Sequence, residues 1–204
     1  KELSKRFGLP TWQVAMTATE ANRYVIRNAR TLTGRPKILV MQECYHGSLD
    51  ETLPHIGEDG KLCLRSPYDS NPGLPKDQLT RVVEFNDVEA LERELAYEDV
   101  AAVLLEPVMT NCGMVLPAEG YLKAVRELCD KYGSYMIIDE THTLSNGYGG
   151  YTRAHDLKPD FVTLGKSIAG GVPIAVYGFT KEITDKIGEM SGNGGVSDPM
   201  GIGG

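Results

Sequence analysis

The chain has 204 residues, 41% of them hydrophobic and 24% charged, which is the make-up of an ordinary globular protein able to bury one core. A formal charge of −7 argues against a nucleic-acid or anionic-membrane partner. The strongest apolar run, Val100–Leu105, is too short to cross a bilayer, and Lys1–Arg6 mixes charges without the apolar centre of a secretion signal.

In chain order, strand and helix signals alternate. Trp12–Met16 reads as a buried strand. Thr17 and Glu20 then have capping-box spacing, opening a helix with Ala21, Val25, Ala29 and Leu32 on one face and a stop at Gly34. Lys37–Met41 is a second strand. Residues 54–80 carry four prolines and read as a long excursion. Arg81–Phe85 is a strand, after which Asn86 or Asp87 caps a helix with Leu91 and Leu95 facing inward. Val100–Leu105 is a continuous apolar strand of the kind found inside parallel sheets. Pro117 opens a helix bearing Leu122, Val125, Leu128 and Cys129 that ends at Gly133. Tyr135–Ile138, Phe161–Leu164 and Ile174–Tyr177 complete about seven strands.

This alternation predicts an α/β domain with a mostly parallel sheet flanked by helices in three layers, α/β/α. Ligands in such sheets gather at the carboxyl ends of the strands. Thr17, Tyr45, Glu106, Asp139 and Lys166 all fall just after predicted strands, so they are expected to share one rim.

Lys166 lies in a turn of small residues, Gly165-Lys166-Ser167 followed by Ala169-Gly170-Gly171, which lets another body approach the backbone closely. A Walker phosphate loop fails, because the glycine it requires five places before Gly165 is Asp160. A dinucleotide fingerprint at Gly147-Tyr148-Gly149-Gly150 fails as well, with Thr152 in the third glycine's place. Asp139 ends an apolar run, where a carboxylate is costly unless paired. The Asp139-Glu140 pair has the look of a Walker B motif, yet it lacks a phosphate loop to serve. A lysine amine after one strand and a carboxylate at the end of another are what pyridoxal phosphate chemistry needs: a Schiff-base partner, and an anion that keeps a pyridine nitrogen protonated. Thr17-Ala18-Thr19 at a helix start offers free amides and the positive end of a dipole for a phosphate. Tyr45 could stack on a flat ring. The four cysteines (Cys44, Cys63, Cys112, Cys129) form no Cys-x-x-Cys pair, which points to free thiols in a reducing cytoplasm and to no metal site.

Together these motifs resemble the class III, ornithine-type pyridoxal phosphate aminotransferases and the related glutamate-1-semialdehyde aminomutases. The similarity runs in register through Thr17–Asn22, Thr33-Gly34-Arg35, Tyr45-His46-Gly47, Glu106-Pro107-Val108, Asp139-Glu140-Thr141 and Leu164-Gly165-Lys166. It implies the large domain of a fold type I pyridoxal phosphate enzyme, with Lys166 bonded to the cofactor and moving protons, and Asp139 on the ring nitrogen. Ala18 and Thr19 would hold the phosphate, Tyr45 and Thr141 would flank the ring, and Glu106 would order the polar network. His142 stands where the family often has a glutamine, near the cofactor's phenolic oxygen. Ala18 replaces the family's usual glycine and Thr141 a valine or isoleucine, which marks a divergent subgroup. The resemblance further implies small amine or amino acid and keto acid substrates and a homodimer with shared sites. Family members also carry an N-terminal segment and a C-terminal small domain, so residues 1–204 are expected to be the cofactor-binding large domain alone. Three readings follow from this: a transaminase, an aminomutase, or a cofactor-binding fragment without turnover.

Overall fold

The computed structural model describes residues 1–65, 73 and 78–190. Among them, a seven-stranded sheet has the order β1-β9-β8-β7-β6-β2-β5. Its strands are β1 (Thr11–Ala15), β2 (Lys37–Met41), β5 (Thr80–Val83), β6 (Val100–Leu105), β7 (Tyr135–Asp139), β8 (Phe161–Leu164) and β9 (Ala175–Phe179). From β8 to β5 every pairing is parallel, whereas β9 runs antiparallel to both β8 and β1. Two reversals in succession leave β1 pointing the same way as β8. Its carboxyl end therefore reaches the same rim as the others.

The core follows from residue chemistry. All six residues of β6 are buried, the signature of a strand covered on both faces. α2 (Ala18–Thr33) turns Ala21, Val25, Ile26 and Ala29 onto β6, β8 and β9. Burying Val25 and Ile26 contributes about 1.5–3 kcal/mol each. α3 (Val88–Leu95) lies on β5 and α4 (Tyr121–Tyr132) on β7. α1 (Glu2–Phe7), α5 (Gly150–Ala154) and α6 (Lys181–Met190) complete the set, and none of these three shows in the sequence pattern.

Two expectations need correction. β1 is an edge strand with Gln13 and Val14 exposed and only Ala15 buried, not a buried strand. Pro117 does not open α4, because the chain turns first through Gly120, which caps the helix in the left-handed region at φ 79°. Asn86 Oδ1 accepts the Ala118 amide at 2.8 Å, holding that approach away from helical geometry. Asp87 is the cap of α3, its carboxylate accepting from Ala90 N at 2.8 Å. Within the long excursion, β3 (Pro54–Ile56) and β4 (Leu62–Leu64) pair as a small hairpin. Residues 66–72 and 74–77 of it lie outside the described residues.

Candidate active site

Sheet register assembles the site. Leu105 pairs with Ile138, and Asp139 with Thr163, so Glu106, Thr141 and Lys166 leave adjacent strands at one level. The opening of α2 joins them from β1. Thr17 Oγ1 accepts the Glu20 amide at 3.1 Å, and Glu20 Oε2 accepts the Met16 amide at 2.8 Å. The capping signal is thus real, although Glu20 reaches one residue further back than the motif requires. With Thr17 occupied in this way, the amides of Ala18 and Thr19 remain without intrahelical partners at the positive end of the helix.

Two glycines permit this packing. Gly47 has φ +91°, and a Cβ there would lie 2.1 Å from Thr19 Oγ1. The neighbouring Ser48 amide donates to that oxygen at 3.2 Å. At Gly165 a Cβ would come within 2.8 Å of the Ala18 methyl and 3.3 Å of Thr141 Cγ2. The alanine at position 18 fits because its neighbour across the rim has no side chain.

Asp139 is buried and multiply bonded. Its Oδ2 accepts from Asn22 Nδ2 at 2.8 Å and pairs with His46 Nδ1 at 2.9 Å, while Oδ1 accepts the Thr141 amide at 3.0 Å. Burial alone would raise its pKa, but the His46 hydrogen bond and charge, with Thr141 and Asn22, hold it down at about 2. A carboxylate has about four acceptor positions. One on Oδ1 is therefore left for a donor in the cavity. Burial also disfavours a charged His46, and Cys44 and Asp139 more than offset that, holding the imidazole above its ordinary range.

Glu106 forms a second network. Oε1 accepts the Tyr45 amide at 3.2 Å, and Oε2 accepts Thr110 Oγ1 at 2.7 Å and its amide at 3.2 Å. Asn111 Nδ2 lies 3.3 Å from both oxygens. Thr110 Oγ1 also hydrogen-bonds His142 Nδ1. Tyr45 itself is 52% exposed, its ring free to cover a ligand.

Lys166 follows Gly165 at the end of β8, exposed and with a left-handed φ of 48°. A lysine in that region is uncommon, and such positions concentrate at functional sites. Ala18, Thr19, Tyr45, Glu106, Asp139, Thr141, His142 and Lys166 all line one cavity of about 360 Å³. Every residue singled out from the sequence is therefore brought together. Asn22, Thr110 and Asn111, and the pairing of His46 with Asp139, were missed. Asn22 and His46 sit inside the recognised motifs, but nothing local shows that they converge on one carboxylate. Glu140, adjacent to Asp139, turns away and binds Thr143 Oγ1 at 2.7 Å and the Tyr151 amide at 2.9 Å.

The family model for Aminotransferase class-III matches residues 2–200. The chain belongs to the class-III aminotransferase family. It is 39% identical over 185 residues to a glutamate-1-semialdehyde 2,1-aminomutase of Neisseria meningitidis, covering 88% of this chain and 43% of that protein. A crystal structure of a glutamate-1-semialdehyde-aminomutase from Pseudomonas aeruginosa PAO1 superposes with TM-score 0.94 at 48% identity, covering 100% of this chain and 45% of that one. A lysine-to-alanine variant of the Pseudomonas protein was crystallised in complex with PMP. An omega-transaminase from Sphaerobacter thermophilus superposes with TM-score 0.84 at 30% identity, over 100% of this chain and 47% of its own. The chain thus spans less than half the length of these class-III relatives, and its fold is that of the fold type I pyridoxal phosphate enzymes.

The assembled residues fit that cofactor. An ionised, buried carboxylate keeps one acceptor position open, a helix start presents unpartnered amides, and a lysine stands in the same cavity. Among the described residues Thr141 Oγ1, buried beside them, has no hydrogen-bond partner, as expected of a hydroxyl that completes its bonding with a bound molecule.

Proposed function

We propose that this chain is the cofactor-binding part of a pyridoxal phosphate-dependent aminotransferase, which moves an amino group between an amine or amino acid and a keto acid or aldehyde. The observation that carries this reading is the presence of Lys166, Asp139 and the α2 start in one cavity. When bound, the cofactor supplies an electrophilic carbon and a ring that withdraws electrons. In this reading Lys166 would hold the cofactor through its Nζ and, when that amine is free, would move a proton at the substrate carbon as base and then acid. Asp139, kept ionised by its depressed pKa, would stabilise the proton on the ring nitrogen rather than take it. Ala18 and Thr19 bind the phosphate through backbone amides. Tyr45 and Thr141 enclose the ring, while Glu106 fixes the loop that carries Thr110 and Asn111.

The same reading includes a homodimer with shared sites. Supporting it, Met16 is 59%, Tyr45 52% and Val172 60% exposed at the cavity mouth, apolar surface of the kind that a second subunit covers. It also includes a reducing, cytoplasmic setting, in keeping with four free thiols.

A second reading, intramolecular amino exchange on glutamate-1-semialdehyde, is favoured by the names of the proteins 39% and 48% identical to the chain. Titration of the full-length protein with pyridoxal phosphate tests the shared chemistry. A visible absorption band should form, borohydride should fix the cofactor to Lys166, and Lys166→Ala should lose both. Retention of the band in that variant would sink the assignment. Separate amine donors and keto acids then divide the two readings, since an aminomutase needs no keto acid partner.

A further inference from the structure

Thr110 has a single hydroxyl proton, and Thr110 Oγ1 donates it to Glu106 Oε2 at 2.7 Å. Its hydrogen bond with His142 Nδ1 must therefore be one in which the imidazole donates. In a neutral ring that places the proton on Nδ1 and leaves a lone pair on Nε2, for which the described residues supply no hydrogen-bond partner. His142 is about a third exposed, with its side chain at 31%, and it lines the cofactor cavity. It also lines an adjoining cavity of about 540 Å³ with Val108, Met114, Leu116 and Tyr151. A glutamine amide, which the family resemblance leads one to expect here, cannot take a proton at neutral pH. An imidazole can.

We propose that His142 is a proton acceptor for the ammonium group of an incoming amine substrate, a role that rests on the aminotransferase reading above. In the step, one N–H bond of the substrate ammonium breaks and an Nε2–H bond forms. The nitrogen lone pair is thereby freed to attack carbon, and the charge passes to the imidazole. The resulting imidazolium keeps its Nδ1–H bond to Thr110, with Glu106 Oε2 3.9 Å from Nδ1 to balance the charge. The other titratable groups lining the same cavity are Tyr45, Asp139, His46 and Lys166, with Tyr151 in the next. Asp139 and His46 are tied to each other. Glu140, two residues away, is turned to α5 and takes no part.

The test uses the full-length protein. Nitrogen-15 NMR of the histidines should show neutral His142 as the Nδ1–H tautomer, and Thr110→Val should abolish that preference. After loading with pyridoxal phosphate, the rate at which an added amine changes the visible band should fall about 100-fold at neutral pH in His142→Gln, the usual scale of general base catalysis. That rate should recover as pH rises and free amine accumulates, whereas the parent depends on pH far less. An Nε2–H tautomer in the parent, or a His142→Gln rate and pH profile matching the parent's, overturns the proposal. If neither protein develops a visible band, the cofactor reading falls and this role falls with it.

Discussion

His46 Nδ1 lies 2.9 Å from Asp139 Oδ2, joining residues 93 apart in sequence inside a fully buried contact. Asn22 reinforces the junction, donating to Asp139 Oδ2 at 2.8 Å and to the His46 carbonyl at 3.1 Å while accepting from Thr163 Oγ1 at 2.7 Å. The carboxylate that lines the cavity is thus held in place by an imidazole and a carboxamide from other elements. Replacing His46 with leucine would leave a buried charge without its main partner. The expected cost is about 3–5 kcal/mol in urea unfolding, together with a raised Asp139 pKa and weaker cofactor binding. Asn, which restores a donor, should recover part of that loss. Equal stabilities for His46→Leu and the parent would show that the pair carries no weight.

The same junction fixes a pH dependence. Asp139 has a folded pKa of about 2, lowered from a starting value of 3.8. Between those values the unfolded chain binds more protons than the folded one, so stability rises with pH there. The contribution is fully present above 3.8 and is lost as pH falls through about 2. Its size is about 2 kcal/mol. Because His46 is shifted upward, its share is present below the ordinary histidine pKa and declines in the alkaline range. The gap in urea midpoint between the parent and Asp139→Asn should therefore narrow as pH falls from 3.8 towards about 2 and narrow again as pH rises above the ordinary histidine range. A gap that does not change with pH would remove the electrostatic explanation.

What the sequence disclosed was local. β2, β6 and β8 end where their apolar runs end, and the Thr17–Glu20 spacing marked the start of α2 correctly. Lys166 stood out because small residues surround it, and Asp139 because a charge closes an apolar run. Hidden from the sequence was whatever depends on register across the sheet. No feature near His46 points to Asp139, and none near Thr110 points to His142, since both contacts are created by the order of β2, β6 and β7. Pro117 misled for a related reason. Its place was decided by the Asn86 side chain, which holds Leu116 O at 3.0 Å and the Ala118 amide at 2.8 Å from thirty residues upstream.

Gly47 predicts a clash that can be separated from backbone strain. Its φ of +91° puts an added methyl 2.1 Å from Thr19 Oγ1, whereas Gly60, at φ +75°, has open space around the same added atom. Gly60→Ala should cost only the left-handed conformation, about 1 kcal/mol. Gly47→Ala carries that cost and also displaces Thr19 from the start of α2. It should lose about 2–3 kcal/mol in all and bind pyridoxal phosphate more weakly by calorimetry, a deficit that Gly60→Ala should not share. Similar cofactor affinities in the two variants would mean that Thr19 does not hold the phosphate.

Asp139 and Glu140 are consecutive carboxylates with opposite assignments, because successive strand positions face opposite sides of the sheet. Asp139 meets the cavity. Glu140, completely buried, accepts the Tyr151 and Thr152 amides at 2.9 and 2.5 Å and Thr143 Oγ1 at 2.7 Å, and so satisfies the opening of α5. Glutamine at position 140 would turn one of those oxygens into a donor facing backbone donors. The expected loss is about 2 kcal/mol, seen as a lower denaturant midpoint, while the folded protein keeps the visible band of the bound cofactor. Asp139→Asn should instead alter that band's response to pH in the loaded protein. If Glu140→Gln changed the band and left stability intact, the division of labour between these neighbours would be wrong.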